Sequence, residues 1–185
     1  LLSRFAGVGN EQVILGRGGW LFFRPAVEHL TGAGFLDPAR LAERSATGTE
    51  WQSAPEPDPR PAIVDFHRQL DAMGIDLVIV PIPVKASIHS ERLTGNAELG
   101  VIRNPSFEAF LDDLRDQGVT VFDPTESLMN VRAEGGAAFL ATDTHWSPEG
   151  LERVAMDLAG VIAGDPASPT TSSSFPGGEL AAVSN

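Results

Sequence analysis

Asp143 and His145 are the residues whose types and spacing could most directly do chemistry. They stand two positions apart in the segment Thr142–Trp146. A helix would separate them by roughly 200° around its axis, whereas a looped segment can bring them to one face. Asp143 could then accept a hydrogen bond from one imidazole nitrogen of His145 and leave the other nitrogen free as a general base. In the alternative interpretation, Asp143 only stabilises a turn and His145 is simply exposed.

Lys85 is the second candidate, because it is the only lysine in the chain and directly follows an apolar segment. Its ammonium group could hold an anionic or carbonyl oxygen of a substrate, or it could pair with a structural carboxylate. Taken alone, the residue favours the structural ion pair. We expect the other three histidines to be solvated or structural: His29, His67 and His89.

The composition excludes several classes of chemistry. The chain has 25 acidic and 13 basic residues, a net charge of −12 and no cysteine. It therefore has no disulfide, no cysteine-ligated metal and no thiol nucleophile. The acidic excess without a basic stripe argues against a nucleic-acid partner, and no apolar stretch approaches the ~20 residues of a membrane-spanning helix. A metal site on Asp143 and His145 would need a third ligand that no familiar spacing supplies, so no metal or cofactor is expected.

The elements that position these residues follow from hydrophobic periodicity. Two strand-prone segments, Gln12–Leu15 and Trp20–Phe23, flank the turn Gly16–Gly19 and predict a hairpin. The polar, proline-broken segment Ala46–Pro61 predicts a surface loop. A helix then begins at Pro61 and ends at Gly74, with a stripe of apolar residues spaced three and four apart: Ile63, Val64, Phe66, Leu70 and Met73.

Strands and helices alternate in the rest of the chain. Ile75–Pro83 is a continuous apolar block typical of a parallel strand that is covered on both faces. Asn104–Pro105 predicts the cap of a helix that Gly118 ends, and Val119–Phe122 is the next buried strand. We expect a third strand at Ala137–Ala141.

A last helix is predicted to begin at Ser147–Pro148, with several apolar residues on one face: Leu151, Val154, Leu158, Val161 and Ile162. The order of elements predicts an α/β three-layer sandwich with a mainly parallel sheet. We expect one domain over residues 1–165 and a tail or linker rich in Ser, Pro and Gly over 166–185. In such folds, sites lie beyond the carboxyl ends of the strands, where Lys85 and the Asp143–His145 segment both stand.

Three blocks of the sequence resemble the alginate O-acetyltransferase family. They are Gly16–Phe23, Leu77–Ile88 and Thr142–Gly150, they follow the family's order, and together they span most of the chain. The Asp-Thr-His-Trp block is the most specific of the three. The resemblance implies an SGNH-hydrolase-like (flavodoxin-like) domain that works in the periplasm on exopolysaccharide, with an inner-membrane anchor outside this sequence.

The resemblance also implies a Ser-His-Asp triad that needs no cofactor. Asp143 would orient His145, His145 would activate a serine, and the serine would carry an acetyl group to a sugar hydroxyl. Lys85 and Trp146 would line the substrate cleft. The implied partners are a polysaccharide acceptor and a membrane-bound O-acyltransferase that hands over the acetyl group.

The serine of that triad is the element that the sequence does not supply. In the family it lies on a Gly-Asp-Ser-like turn downstream of the Asp-x-His block. Ser147 is better explained as a helix N-cap, and Ser172–Ser174 lacks a preceding apolar strand. We therefore expect the nucleophile beyond Asn185, an incomplete domain with an open sheet edge, and an inactive chain on its own.

The sequence departs from the family pattern near the expected cleft. The family usually carries Asp where this chain has Gly18 and Val84, and Tyr-Pro where it has His89–Ser90. Two alternatives stay open. The same triad would make a carbohydrate acetyl esterase if water reached the acyl-enzyme, and a chain without a nucleophile would be a polysaccharide-binding or scaffold protein. The charge of −12 makes a neutral glycan at least as suitable as a uronic acid polymer.

Overall fold

The computed structural model describes residues 11–48 and 56–164. Within these ranges there are four short strands: β1 (Val13–Leu15), β2 (Leu21–Phe23), β3 (Val78–Ile79) and β4 (Thr120–Val121). The same ranges contain eight α-helices: α1 (Arg24–Thr31), α2 (Pro38–Ser45), α3 (Arg60–Asp71), α4 (Lys85–Ile88), α5 (Ser90–Thr94), α6 (Phe107–Asp116), α7 (Thr125–Ala133) and α8 (Pro148–Ala163). A 3₁₀ turn over Arg17–Gly19 joins β1 to β2. Among the helices of residues 11–48 and 56–164, none combines the length and the hydropathy of a membrane-spanning segment.

The predicted hairpin is confirmed. β1 and β2 pair antiparallel, with Val13 opposite Phe23 and Leu15 opposite Leu21. Gly18 in the connecting turn has a φ of 63°, a left-handed conformation that favours glycine. Because side chains alternate along a strand, the hairpin buries Ile14 and Phe22.

The predicted parallel pairing is also confirmed, over a shorter length. β3 pairs with β4, with Ile79 opposite Val121. Val121 and Phe122 point to opposite faces of this pair, and each belongs to a different hydrophobic cluster. The smaller cluster packs β4 against α3 and α6, and its buried members are Val64, Leu111, Leu114, Val119 and Val121. The larger cluster packs the opposite face of the β3–β4 pair, where Phe122 lies, against the hairpin and against α4, α7 and α8.

The predicted third strand is wrong. Phe139 forms a single antiparallel bridge with Trp146, so residues 137–141 pair with the chain's own return and not with β3 or β4. The carbonyl of Ala141 accepts instead from the hairpin, at 2.8 Å from Leu21 N. Within the described ranges the strands form two two-stranded sheets, and the three-layer sandwich is not confirmed beyond the β3–β4 pair.

The predicted helices exist, but their apolar faces are narrower than expected. On α3, Val64 is buried while Phe66 is 52% exposed. On α8, Val154 and Val161 are buried while Leu151 is 56% exposed. Ile75 and Ile82, at the two ends of the apolar block around β3, are also exposed. A helical stripe spans a wide angle, and only its centre meets the small core of this chain.

Several helices were not expected from the sequence, namely α1, α2, α4, α5 and α7. An aspartate that accepts a backbone hydrogen bond lies at or just before the start of two of them. Asp37 Oδ1 lies 2.9 Å from Ala39 N at the start of α2, and Asp123 Oδ1 lies 3.0 Å from Thr125 N at the start of α7. Asp37 is the N-cap of α2 and Asp123 forms a turn just before α7, so these aspartates were the available signal. The tail predicted at 166–185 and part of the loop predicted at 46–61 lie outside the described residues.

Candidate active site

Asp143 and His145 lie at the tip of a loop that its own backbone closes. Besides the bridge between Phe139 and Trp146, the Leu140 N–H donates to the carbonyl of His145 at 3.1 Å. The Ser147 N–H donates to the carbonyl of Ala138 at 3.0 Å. Directly after the loop, the Ser147 hydroxyl accepts from Gly150 N at 2.9 Å, which confirms it as the N-cap of α8. The loop is therefore fixed at both ends.

The contact that the Asp-x-His spacing predicts is present. Asp143 Oδ1 lies 2.5 Å from His145 Nδ1 and 2.9 Å from His145 N. A carboxylate only accepts hydrogen bonds, so Nδ1 carries a proton, and in the neutral imidazole Nε2 presents a lone pair. The backbone and then the side-chain hydrogen bond from His145 lower the pKa of Asp143, which keeps this carboxylate charged. The geometry is that of an oriented base.

The pair is open to solvent. The side chain of His145 is 82% exposed and that of Asp143 is 51% exposed. Among the described residues, none makes a hydrogen bond with His145 Nε2. The outer nitrogen therefore faces open space, as the triad hypothesis requires, but that space is reached by water.

Lys85 holds the loop in place. Lys85 is the first residue of α4 and is buried, with an exposure of only 5%. Its Nζ donates to three backbone carbonyls, those of Leu140 and Ala141 at 3.0 Å and that of Asp143 at 2.7 Å. The expected ion pair is wrong, because the partners are neutral carbonyls. All three N–H groups are occupied, so contact with a substrate, the other role predicted for Lys85, would require one of these bonds to break.

Burial and charge act on Lys85 in opposite directions. Removal of the ammonium from water lowers its pKa, and the negative charge of Asp143 partly opposes that change. The ammonium also lies 5.6 Å from the ring centre of Trp20 and 5.3 Å from that of Phe22. The hairpin therefore covers the lysine that positions the loop. Contacts to backbone carbonyls have no side-chain signature, so the sequence could not reveal this arrangement.

A cleft of about 610 Å³ lies beside the pair. His145 and Trp146 form part of its wall, and Lys85 lies at its base. The structure thus brings three of the four predicted site residues to one cleft, with Asp143 bonded to His145. Most of the remaining lining is apolar and was not predicted as part of a site: Phe22, Val27, Val84, Phe139 and Leu151.

The other histidines lie elsewhere. His29 is exposed on α1 and His67 is partly buried on α3. His89 is buried, 4.4 Å from the ring centre of Trp20, and its Nδ1 lies 3.4 Å from Glu91. Burial lowers the pKa of His89 to about 4, so it is neutral at pH 7. The described residues contain no cluster of three groups that could hold a metal ion.

Comparison with known proteins assigns the chain to a protein family. The family model described as SGNH hydrolase-like domain, acetyltransferase AlgX, matches residues 13–175. The chain belongs to this family. The resemblance read from the three sequence blocks is thereby confirmed.

Several curated proteins with a similar sequence are named probable alginate O-acetylase AlgJ. The protein from Pseudomonas aeruginosa is 30% identical over 158 residues, which cover 83% of this chain and 34% of that protein. The protein from Azotobacter vinelandii is 27% identical over 156 residues, with coverages of 84% and 35%. The chain thus spans about a third of the length of these relatives.

A solved structure supports the fold of the family. The O-acetyltransferase domain of Pseudomonas putida AlgJ superposes with a TM-score of 0.55 at 24% sequence identity. The match covers 80% of this chain and 46% of that chain. The expected SGNH-hydrolase-like fold is confirmed at this level.

Proposed function

We propose that this protein is an O-acetyltransferase that moves an acetyl group to hydroxyls of an exopolysaccharide. In this proposal Asp143 orients His145, and His145 acts as the base for a serine nucleophile. The serine belongs to polypeptide outside residues 11–48 and 56–164. The family and the names of its relatives support the reaction class.

One observation carries the proposal. The 2.5 Å contact between Asp143 and His145 Nδ1 leaves Nε2 without a partner among the described residues, on the wall of a cleft. An isolated turn would not need Lys85 to bind three carbonyls of the same loop. The loop is therefore held in one position by a buried ammonium group, which suits a group that must be placed to react.

The reaction would proceed by two acyl transfers. His145 Nε2 would take the serine proton as the serine oxygen attacks the acetyl carbonyl, and it would then return that proton to the leaving group. An acetyl-serine ester results. In the second step Nε2 would accept the proton of a sugar hydroxyl as that oxygen attacks the ester, and it would return this proton to the serine oxygen as the ester bond breaks. Asp143 would stabilise the imidazolium formed in each step.

The exposure of His145 favours one second candidate, an acetyl esterase. With 82% of the side chain exposed, water has access to the base and could replace the sugar hydroxyl in the second step. Transfer and hydrolysis differ only in this acceptor. Product analysis with and without an oligosaccharide separates them.

The setting of the reaction is also a proposal. We place the protein in the periplasm, with a polysaccharide as acceptor and a membrane-bound O-acyltransferase as the source of acetyl groups. The relatives' names point to alginate, a polyuronate, whereas the net charge of −12 repels such a polymer at long range. Parallel assays with alginate oligomers and a neutral glycan would identify the acceptor.

The decisive experiment measures acetyl transfer from 4-nitrophenyl acetate by the full-length protein, which includes the serine nucleophile. His145→Ala should lower kcat/KM by ~10³-fold or more, because it removes the base, and Asp143→Asn should also lower it strongly. His29→Ala is the matched control, since it removes another exposed histidine. Equal rates for His145→Ala and the unmodified protein would exclude His145 as the base and favour a binding role.

A further inference from the structure

A second cavity lies next to the cleft, and the proposed mechanism does not use it. Its volume is about 340 Å³, at the small end of the range of ligand sites, which suits a single sugar unit. Phe139 connects the two, because its ring lines the cleft and packs edge-on against the ring of His89, with the ring centres 6.2 Å apart. The ionisable side chains in the lining of the second cavity are His89, Glu91, Arg92 and Arg132.

His89 offers this cavity an acceptor that has no partner. The residue is buried, and its Nδ1 lies 3.4 Å from Glu91 Oε1. Because a carboxylate only accepts hydrogen bonds, Nδ1 carries the proton of the neutral imidazole and Nε2 presents a lone pair. Among the described residues, none makes a hydrogen bond with this buried Nε2. Buried polar atoms normally have a partner, so this nitrogen points to a donor that a ligand would bring.

Arg92 offers the same cavity a cation that is available to a ligand. Its side chain is 49% exposed, its Nε lies 3.6 Å from Glu91, and it forms no hydrogen bond within the described ranges. Arg132, by contrast, donates to the carbonyl of Ile88 and lies 2.8 Å from Glu91. The lining therefore carries two positive charges against one negative charge, in a chain with a net charge of −12. Such a local excess of positive charge favours an anionic ligand.

Trp20 holds both groups at the cavity. It is buried and directly precedes β2, so the hairpin fixes its position. Its ring centre lies 4.4 Å from that of His89 and 5.4 Å from the guanidinium carbon of Arg92. The contact with Arg92 is a cation–π interaction, which orders a side chain that is half exposed. The acceptor and the cation are thus positioned before a ligand binds, which lowers the entropic cost of binding.

We infer that this cavity binds one carboxylate-bearing sugar unit of the glycan, outside the reaction cleft. The carboxylate would pair with the guanidinium of Arg92, and a hydroxyl of the same ring would donate to His89 Nε2. A uronate unit carries both groups, whereas a neutral sugar lacks the anion and a simple carboxylate lacks the hydroxyl donor. The inference rests on the proposed function and deepens it, because it selects an acidic glycan over a neutral one as acceptor.

Calorimetric titration of the full-length His145→Ala variant measures binding without turnover. The probe is a β-1,4-linked trimannuronate. Mannotriose of the same linkage is the matched neutral ligand, since hydroxymethyl groups replace the carboxylates. Trimannuronate should bind at least tenfold more tightly than mannotriose, because a charge-assisted hydrogen bond is lost in the neutral sugar, and acetate at the same concentration should not displace it. Equal affinities of the two trisaccharides, or displacement by acetate, would overturn the inference.

Matched arginine variants locate the site. Arg92→Gln should weaken binding of trimannuronate at least tenfold, because it removes the cation. Arg40→Gln is the control, since Arg40 is 51% exposed, also pairs with a glutamate, and lies on α2 outside the lining of this cavity. It should leave the affinity within twofold, and circular dichroism verifies that both variants fold. Equal weakening by the two substitutions would show a general attraction of charge and overturn the site.

Nitrogen-15 NMR tests the second contact in the same protein. The signal of His89 Nε2 should move upfield when a hydroxyl donates to it, whereas the signals of His29, which is exposed on α1, should not move. An unmoved His89 signal at saturation would overturn the inference. The proposed function fails separately. Acetyl transfer without binding of trimannuronate would refute only the second site, and equal transfer with and without His145 would refute only the proposed base.

Discussion

Lys85 offers the sharpest test of how the site is built. In Lys85→Met the apolar stem keeps its length while the three ammonium donors disappear. We expect the loop that carries Asp143 and His145 to lose its fixed position. The protein should therefore lose both stability and turnover.

The size of the effect follows from the carbonyls that lose a donor. Lys85 Nζ binds the carbonyls of Leu140, Ala141 and Asp143. In the variant, the carbonyl of Ala141 still accepts from the N–H of Leu21, whereas the carbonyls of Leu140 and Asp143 lose the donor that Lys85 supplied. An unsatisfied buried polar group costs about 1–3 kcal/mol. Because the loop is partly solvated and methionine avoids the cost of burying a charge, we expect a net loss of about 2 kcal/mol.

Urea denaturation measures the free energy of unfolding, and kcat and KM for an acetyl ester report how well the site turns over and binds its substrate. Lys85→Arg is the control that keeps the charge, and we expect it to rescue poorly because a planar guanidinium cannot place three N–H groups on these converging carbonyls. A positioning role predicts a lower kcat and a changed NMR signal of His145. Lys85→Met with unchanged stability and only a raised KM would show that Lys85 binds substrate directly, and would refute the reasoning.

Three further outcomes are expected. Lowering the pH from 7 toward 4 should reduce the free energy of unfolding by up to ~3 kcal/mol. The pKa of His89 is about 4 in the folded protein and near 6.5 in the unfolded chain, so the unfolded chain binds the proton first and gains stability. In urea titrations, His89→Gln should flatten this part of the pH profile. Gly150→Ala should cost about 1–3 kcal/mol in the same assay, because its Cβ would overlap the carbonyl oxygen of Ala138. Ser147→Ala should lower the melting temperature through a loss of about 1 kcal/mol, and Ser147→Asp should retain the cap.

Local sequence signals predicted the parts of the fold that depend on local interactions. The hairpin follows from two strand-prone segments around a glycine turn, and the start of α8 follows from the Ser147–Pro148 pair. The Asp143–His145 contact belongs to the same class, since it joins residues two apart. Each of these features is decided within a few residues, so spacing and residue type are sufficient.

The features that the sequence did not predict depend on distant contacts. The sequence of residues 137–141 predicts a strand, but the backbone groups of this segment bond to the returning loop and to two distant partners. These partners are the hairpin and Lys85, which are 55 or more residues away in the chain. The apolar spacing on α8 did not show that Leu151 would line a cleft while Val154 would enter the core. Periodicity defines a face, and only tertiary packing decides what that face contacts.

The placement of the site and its chemical environment have different origins. Buried groups fix the loop, namely Lys85 and the hairpin, whereas the Asp143–His145 pair itself stands in water, where a hydrogen bond contributes little net energy. The same pair becomes a stronger base and a better stabiliser of developing charge when water is excluded, because electrostatic interactions strengthen as the local dielectric falls. Because the cleft beside His145 has mainly apolar walls, a group bound there would exclude water and create the environment in which the pair can act.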